Sequence, residues 1–161
     1  MQGDITAQDV DAVVNAANNA MRGGGGVDGA IHRAGGPGVL EDCVGRFPDG
    51  LATGDAGWTT AGAMTAQWVI HVVGPNYAAG QTDRSLLTSC YARALAVADE
   101  LGARTIAFPL VSAGIYGWPK ADAIAAAVET LRATPTQVEQ TRLVAFDAAT
   151  YEAIGQVLST T

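Results

Sequence analysis

Hydrophobic positions along this chain fall into two patterns. Four short runs, DAVVNAA near Val13, QWVIHVVGP near Val69, RTIAFPLV near Ile106 and TRLVAF near Val144, are almost continuously apolar and rich in β-branched residues. Strands buried on both faces need that pattern, because neither side of the pleat meets water. Other stretches carry a helical period. DRSLLTSCYARALAVADELG begins on Asp83, an N-cap residue, and ends on Gly102, a residue suited to a left-handed stop. WPKADAIAAAVETLRA places Pro119 in its first turn and lines up Ala123, Ile124, Ala127, Val128 and Leu131. DAATYEAIGQVL predicts a further helix near the end. Strands alternating with helices of this length predict an α/β sandwich around a mostly parallel or mixed sheet.

Ligands of such sheets sit at the carboxyl ends of the strands, in the loops that lead into helices. Two glycine-bearing loops fall there. NNAMRGGGG follows the strand around Val13 and enters a helix at Val27 or Asp28; SAGIYGWP follows the strand around Ile106 and leads to Pro119.

Composition narrows what these loops can do. The chain has 161 residues, nearly half of them apolar, enough for one core without covalent staples. No linker, repeat or low-complexity segment divides it, so a single domain over 1–161 is expected. No apolar run is long enough to cross a bilayer, and MQGDITAQDV lacks the basic and apolar regions of a secretory signal. The reading is a soluble, cytoplasmic protein. Cys43 and Cys90 stand far apart, outside any C-x-x-C spacing, and read as buried free thiols. Sixteen acidic residues against nine basic ones give a formal charge of −7, which repels nucleic acid and anionic membranes at long range. An anionic ligand must then be held by local dipoles.

Glycine permits both close approach of backbone N–H groups and positive φ, and a helix N-terminus adds positive partial charge. Together they form a phosphate cradle that needs no Lys or Arg. The four glycines at 23–26 match neither G-x-G-x-x-G nor a Walker loop. A tight turn that packs a helix on a sheet is the competing reading of this loop. The second glycine loop at an equivalent strand end favours two loops clasping one diphosphate. Asp28, at the mouth of the first loop, is either a helix N-terminal carboxylate or an acceptor that orients a water or sugar hydroxyl. His32 lies one turn beyond it, suited to a structural hydrogen bond. His71 reads as a satisfied core histidine and Asn15 as a loop cap, while Asn18 stands closer to the glycines.

These residues together resemble the macrodomain family, in its MacroD-like branch that removes ADP-ribose from proteins. The resemblance rests on GDIT (3–6), VVNAAN (13–18), GGGGVDGAIHRAGG (23–36), VIHVVGP (69–75), CYARAL from Cys90 and IAFPLVSAGIYGWP from Ile106, in family order. It implies a three-layer α/β/α sandwich with a central mixed sheet. It also implies an ADP-ribose site in which Asp4 accepts a hydrogen bond from the adenine amino group beside the Ile5 backbone, and Tyr151 stacks on the adenine ring. The glycine loop through Gly25, Gly26 and Val27, with Ser112, Ala113, Gly114, Ile115 and Tyr116, would hold the diphosphate. Asn18 would contact the distal ribose, Asp28 would place the water or ribose for attack at the anomeric carbon, and Trp118 would wall the distal pocket.

The implied reaction is hydrolysis of an ester between the distal ribose and a protein Asp or Glu side chain, with deacetylation of O-acetyl-ADP-ribose as a related ester cleavage. Asn18 and Asp28 are the catalytic candidates; neither metal nor cofactor is expected. The expected partners are ADP-ribose and mono-ADP-ribosylated proteins, with no membrane, nucleic acid only as an ADP-ribosylated substrate, and the chain acting as a monomer. A non-catalytic ADP-ribose reader is the alternative, using the same adenine and diphosphate contacts without turnover. The sequence departs from the family in having only Met1 and Gln2 before GDIT, where a strand is usual, so a thinner sheet edge beside the adenine pocket is expected. Trp118 also replaces the more usual Phe or Tyr.

Overall fold

The computed structural model describes residues 1–159. Five strands are present among them: β1 (Ala12–Ala17), β2 (Ala56–Thr60), β3 (Trp68–Val73), β4 (Thr105–Phe108) and β5 (Gln140–Leu143). They form one sheet in the order β2-β3-β1-β4-β5. β1 is parallel to β3 and β4, and β4 to β5; β2 alone runs antiparallel, against β3. The sheet is therefore mixed, and the carboxyl ends of β1, β3, β4 and β5 open on one side.

Helices α1 (Gly26–Gly35), α2 (Pro37–Arg46), α3 (Arg84–Leu101), α4 (Lys120–Ala133) and α5 (Ala148–Ser159) cover it. The period-2 pleat divides each central strand between two cores. Ala12, Val14, Ile70 and Val72 pack with Leu87, Tyr91, Leu95, Ala123 and Ala127 of α3 and α4. Val13 and Val69 face the other way, onto Ile31 of α1, and Ala17 and Val73 onto Val39 and Cys43 of α2. α5 packs on α4 through Ile154, Ile124 and Val128. The result is the three-layer α/β/α sandwich with a mixed sheet.

α3 starts on the Asp83 cap, whose carboxylate accepts from the Ser85 N–H, and stops on left-handed Gly102. Pro119 is the N-cap of α4 and not its first helical residue. No strand precedes GDIT among the described residues. Gln2 forms one isolated parallel bridge with Ala145, in which Ala145 N donates to Met1 O and Gly3 N to Ala145 O, so the thin edge beyond β5 carries a single bridge. Both cysteines are free and buried; burial pushes the Cys43 thiol up to about 11 and the Cys90 thiol to about 12. No helix among the described residues is long and apolar enough to cross a membrane.

Candidate active site

A cavity of roughly 620 Å³ opens at the carboxyl ends of β1, β3, β4 and β5. One wall is the start of α1, reached through the glycine loop: Gly24, Gly25, Gly26, Val27 and Asp28. The facing wall is the loop after β4: Leu110, Val111, Ser112, Gly114, Ile115 and Tyr116. Asp4 and Ile5 stand at one end with Phe146, and Ala16, Ala17, Asn18 and Gly74 contribute from the ends of β1 and β3.

Local chemistry explains why both loops present donors. Gly25 caps α1 without a side chain to do so, and the N–H groups of Gly26, Val27 and Asp28 have no partner within the helix. Across the cavity, Trp118 N donates to Ser112 O and Gly117 N to Gly114 O, closing the loop on itself. Its Gly114, Ile115 and Tyr116 N–H groups donate to no backbone carbonyl among the described residues. Ser112 is held at φ +65°, a strained conformation for a residue with a side chain. Its hydroxyl is buried and has no hydrogen-bond partner among the described residues. Gly74 explains the fit of that loop, since a β-carbon there would overlap Ser112 Oγ and Val111.

The glycine loop folds back on α1 so closely that a β-carbon at Gly29 would lie 2.6 Å from the Gly24 carbonyl oxygen. At Gly24 a β-carbon would stand 3.2 Å from Asp28 Oδ2 and 3.3 Å from Asn18 Nδ2. Asp28 and Asn18 therefore converge on the bare Cα of Gly24. Asn18 also braces its turn: its amide donates to Gly23 O at 3.1 Å and its oxygen accepts from Met21 N at 3.2 Å.

Asp28 is only 5% exposed, and a buried carboxylate needs partners. Its Oδ1 accepts from Asn15 Nδ2 at 2.8 Å and lies 3.3 Å from His32 Nε2. The positive end of α1 adds a favourable field. Asn15 also lies 3.0 Å from Nδ1 of His71. Burial, with a smaller contribution from His32, pushes the His71 imidazole down to about 3, so it is neutral.

The profile described as Macro domain matches residues 14–127, well over half of the chain. This chain belongs to the macro domain family. A macro domain-containing protein of Streptomyces nogalater is 53% identical to it over 162 residues, covering 98% of this chain and 90% of the relative. O-acetyl-ADP-ribose deacetylase 1 of Pantoea vagans is 44% identical over 158 residues, covering 94% and 92% of the two chains. Among solved structures, a mutant of the Oceanobacillus iheyensis macrodomain with ADPR superposes with a TM-score of 0.90 at 33% identity, covering 99% of this chain and 90% of that one. The Trypanosoma brucei macrodomain in complex with ADP-ribose superposes with a TM-score of 0.88 at 34% identity, covering 98% and 67%.

In this macro domain Asp4, Ile5, Asn18, Gly25, Gly26, Val27, Asp28, Ser112, Gly114, Ile115 and Tyr116 line one cavity. Three expected members do not. Trp118 is 4% exposed and lies under its loop: its Nε1 donates to Asp122 at 2.9 Å and its ring meets Tyr77 edge-on at 5.2 Å. The backbone bond from Trp118 to Ser112 turns the indole into the core instead of the distal pocket. Ala113 packs against that same core. Tyr151 lies exposed in the first turn of α5, and the aromatic residue that lines the wall beside Asp4 and Ile5 is Phe146. Sequence reasoning also passed over Arg33, the one basic side chain of the wall among the described residues. His71 is the satisfied core histidine expected of it, with Asn15 and Thr59 as partners, whereas Asn15 is buried and bonded to Asp28 where a loop cap was expected. A polar residue in the middle of each of two apolar runs was the available signal.

Proposed function

We propose that the cavity binds ADP-ribose and that the protein hydrolyses the ester joining the distal ribose to an Asp or Glu side chain of a modified protein. The observation that carries this reading is the convergence, in one cavity, of two loops of unpaired backbone donors with a buried carboxylate, Asp28, at their junction. The donors suit a diphosphate on an acidic protein, where fixed dipoles replace cationic side chains. Asp4 and Phe146 at one end suit adenine, the first as acceptor from its amino group and the second as a stacking surface. That orientation leaves Asn18 and Asp28 for the distal ribose.

Hydrolysis adds one water across the ester: the ribose leaves with a hydroxyl, and the protein side chain returns as a carboxylate with release of a proton. An acyl-type leaving group is already good, so orienting the water by Asp28 and fixing the sugar supply the main acceleration. O-acetyl-ADP-ribose offers the same ester on a smaller group, and the naming of the Pantoea relative supports it as a second substrate. A reader module would need the adenine and diphosphate contacts alone and would have no use for a desolvated carboxylate beside the ribose.

Asp28→Asn tests the assignment, since the amide keeps an acceptor for Asn15 and removes the charge. Release of ADP-ribose from a glutamate-linked target is expected to fall about 100-fold or more, with ADP-ribose affinity by calorimetry changed less than about threefold. Undiminished release would return Asp28 to the role of a helix N-terminal carboxylate.

A further inference from the structure

Beneath the cavity a chain of buried polar groups runs away from Asp28. β1 and β3 are adjacent and in register, with Asn15 opposite His71, and both residues face the layer of α1 and α2. Asn15 Nδ2 donates to Asp28 Oδ1 at 2.8 Å and lies 3.0 Å from His71 Nδ1. His71 Nε2 lies 2.8 Å from Thr59 Oγ1, and Thr59 donates onward to Thr60 O at 3.0 Å. Asn15, His71 and Thr59 are each at most 1% exposed.

The chemistry of the groups sets every proton in this chain. A carboxylate only accepts, so Asn15 turns its amide nitrogen toward Asp28. The second amide hydrogen then meets His71 Nδ1, which must offer a lone pair. The ring hydrogen is left on Nε2, where Thr59 Oγ1 accepts it and passes its own to the Thr60 carbonyl. One group is sacrificed: Asn15 Oδ1 is buried with no partner among the described residues. Turning the amide over would set that oxygen against the carboxylate, so Asp28 dictates the arrangement at the expense of the strand's own polar satisfaction. A core built for stability alone would place apolar residues at both positions.

We propose that Asn15 and His71 are positioning residues for Asp28, holding its Oδ1 through the Nδ1 lone pair of His71 so that Oδ2 stays aimed at Gly24 and Asn18. The proposal rests on Asp28 orienting the water or ribose. Thr59 fixes the ring and thereby the lone pair, and Cys43 Sγ, 3.8 Å from Nε2, closes the pocket behind it.

Two substitutions of His71 separate positioning from filling. Asparagine sets an acceptor near the place of Nδ1 and leaves the Thr59 side empty; glutamine reaches the place of Nε2 and loses the Nδ1 acceptor. Positioning predicts that His71→Asn keeps kcat within about fivefold of wild type although it packs worse and melts lower. It predicts that His71→Gln loses kcat by about twentyfold or more, with ADP-ribose affinity within about threefold in both. The opposite ranking, with activity following melting temperature, would overturn the proposal. Long-range ¹H–¹⁵N spectra of the wild-type imidazole supply a readout independent of turnover and of any variant's folding: a neutral Nε2–H tautomer between about pH 5 and 8 is expected, and an Nδ1–H tautomer would overturn the proposal. A wild-type protein with the expected tautomer that releases no ADP-ribose would sink the hydrolase reading and leave the buried chain's proton order standing.

Discussion

Phe146 stands 92% exposed at the cavity mouth, just after Ala145 and outside every hydrophobic cluster of the described residues. Removing it should change little in stability, within about 0.5 kcal/mol for an exposed site. Phe146→Ala is expected to weaken ADP-ribose binding about tenfold, the loss of one base–aromatic stack, whereas Tyr151→Ala leaves affinity unchanged. Calorimetry with the reverse result would move the adenine platform onto α5. The residue-scale contrast shows what a sequence can and cannot convey about a site. Asn18, Asp28 and the glycines were legible as wall residues because their positions follow from strand ends and helix starts, and Asp4 only because GDIT resembles the family motif. Trp118 and Tyr151 were not, because an aromatic residue in a loop or first helical turn can point inward or outward, and only the Trp118–Ser112 backbone bond and the phase of α5 decide. Asn15 and His71 lay in plain sight as polar interruptions of apolar strands. What joins them is register between strands more than fifty residues apart, which no local pattern carries.

At the scale of elements, the first turn of α1 and the loop before it act as one unit. Gly29 lets the Gly24 carbonyl lie against the helix, and a methyl there would press on backbone that cannot swing aside. Replacing a helical glycine by alanine ordinarily stabilises by about 1 kcal/mol. Gly29→Ala should forgo that gain and lower ADP-ribose affinity about tenfold or more by displacing the loop. A more stable variant with wild-type affinity would show that the close approach is not needed. β1, β3, β4 and three of the helices were readable because continuous β-branched runs and capped, periodic segments have few other solutions. β5 was located, but it is an exposed to half-buried edge strand over Gln140–Leu143 and not the strand buried on both faces that the apolar run predicts. β2 escaped, since AGWTT is a half-exposed edge strand with little apolar content. α2 escaped because GGPG hides a helix start: Gly36 at φ +78° lets the chain turn, and Pro37 opens a second helix directly after the first. The single bridge from Gln2 to Ala145 likewise depends on tertiary placement.

For the molecule as a whole, the buried chain under Asp28 links folding to pH. His71 titrates near its ordinary value when unfolded but only at about 3 when folded. Between those values the unfolded state holds the extra proton, so stability rises with pH across this window and is lost on acidification. From pH 7 to pH 5 the wild type should lose about 2 kcal/mol through this one group. Urea unfolding of wild type beside His71→Asn isolates it, because the charges of Asp28, His32 and Asp42 and the Cys43 thiol are common to both proteins; equal losses in the two would assign the effect elsewhere. The same molecule carries a formal charge of −7 and yet gathers backbone donors around one cavity, which is how an acidic surface can admit a diphosphate. The most direct test of the account is release of labelled ADP-ribose from a target modified on glutamate. The account predicts that the wild-type protein frees the label as ADP-ribose and regenerates the carboxylate. Tight binding of ADP-ribose with the label left on the target would contradict it.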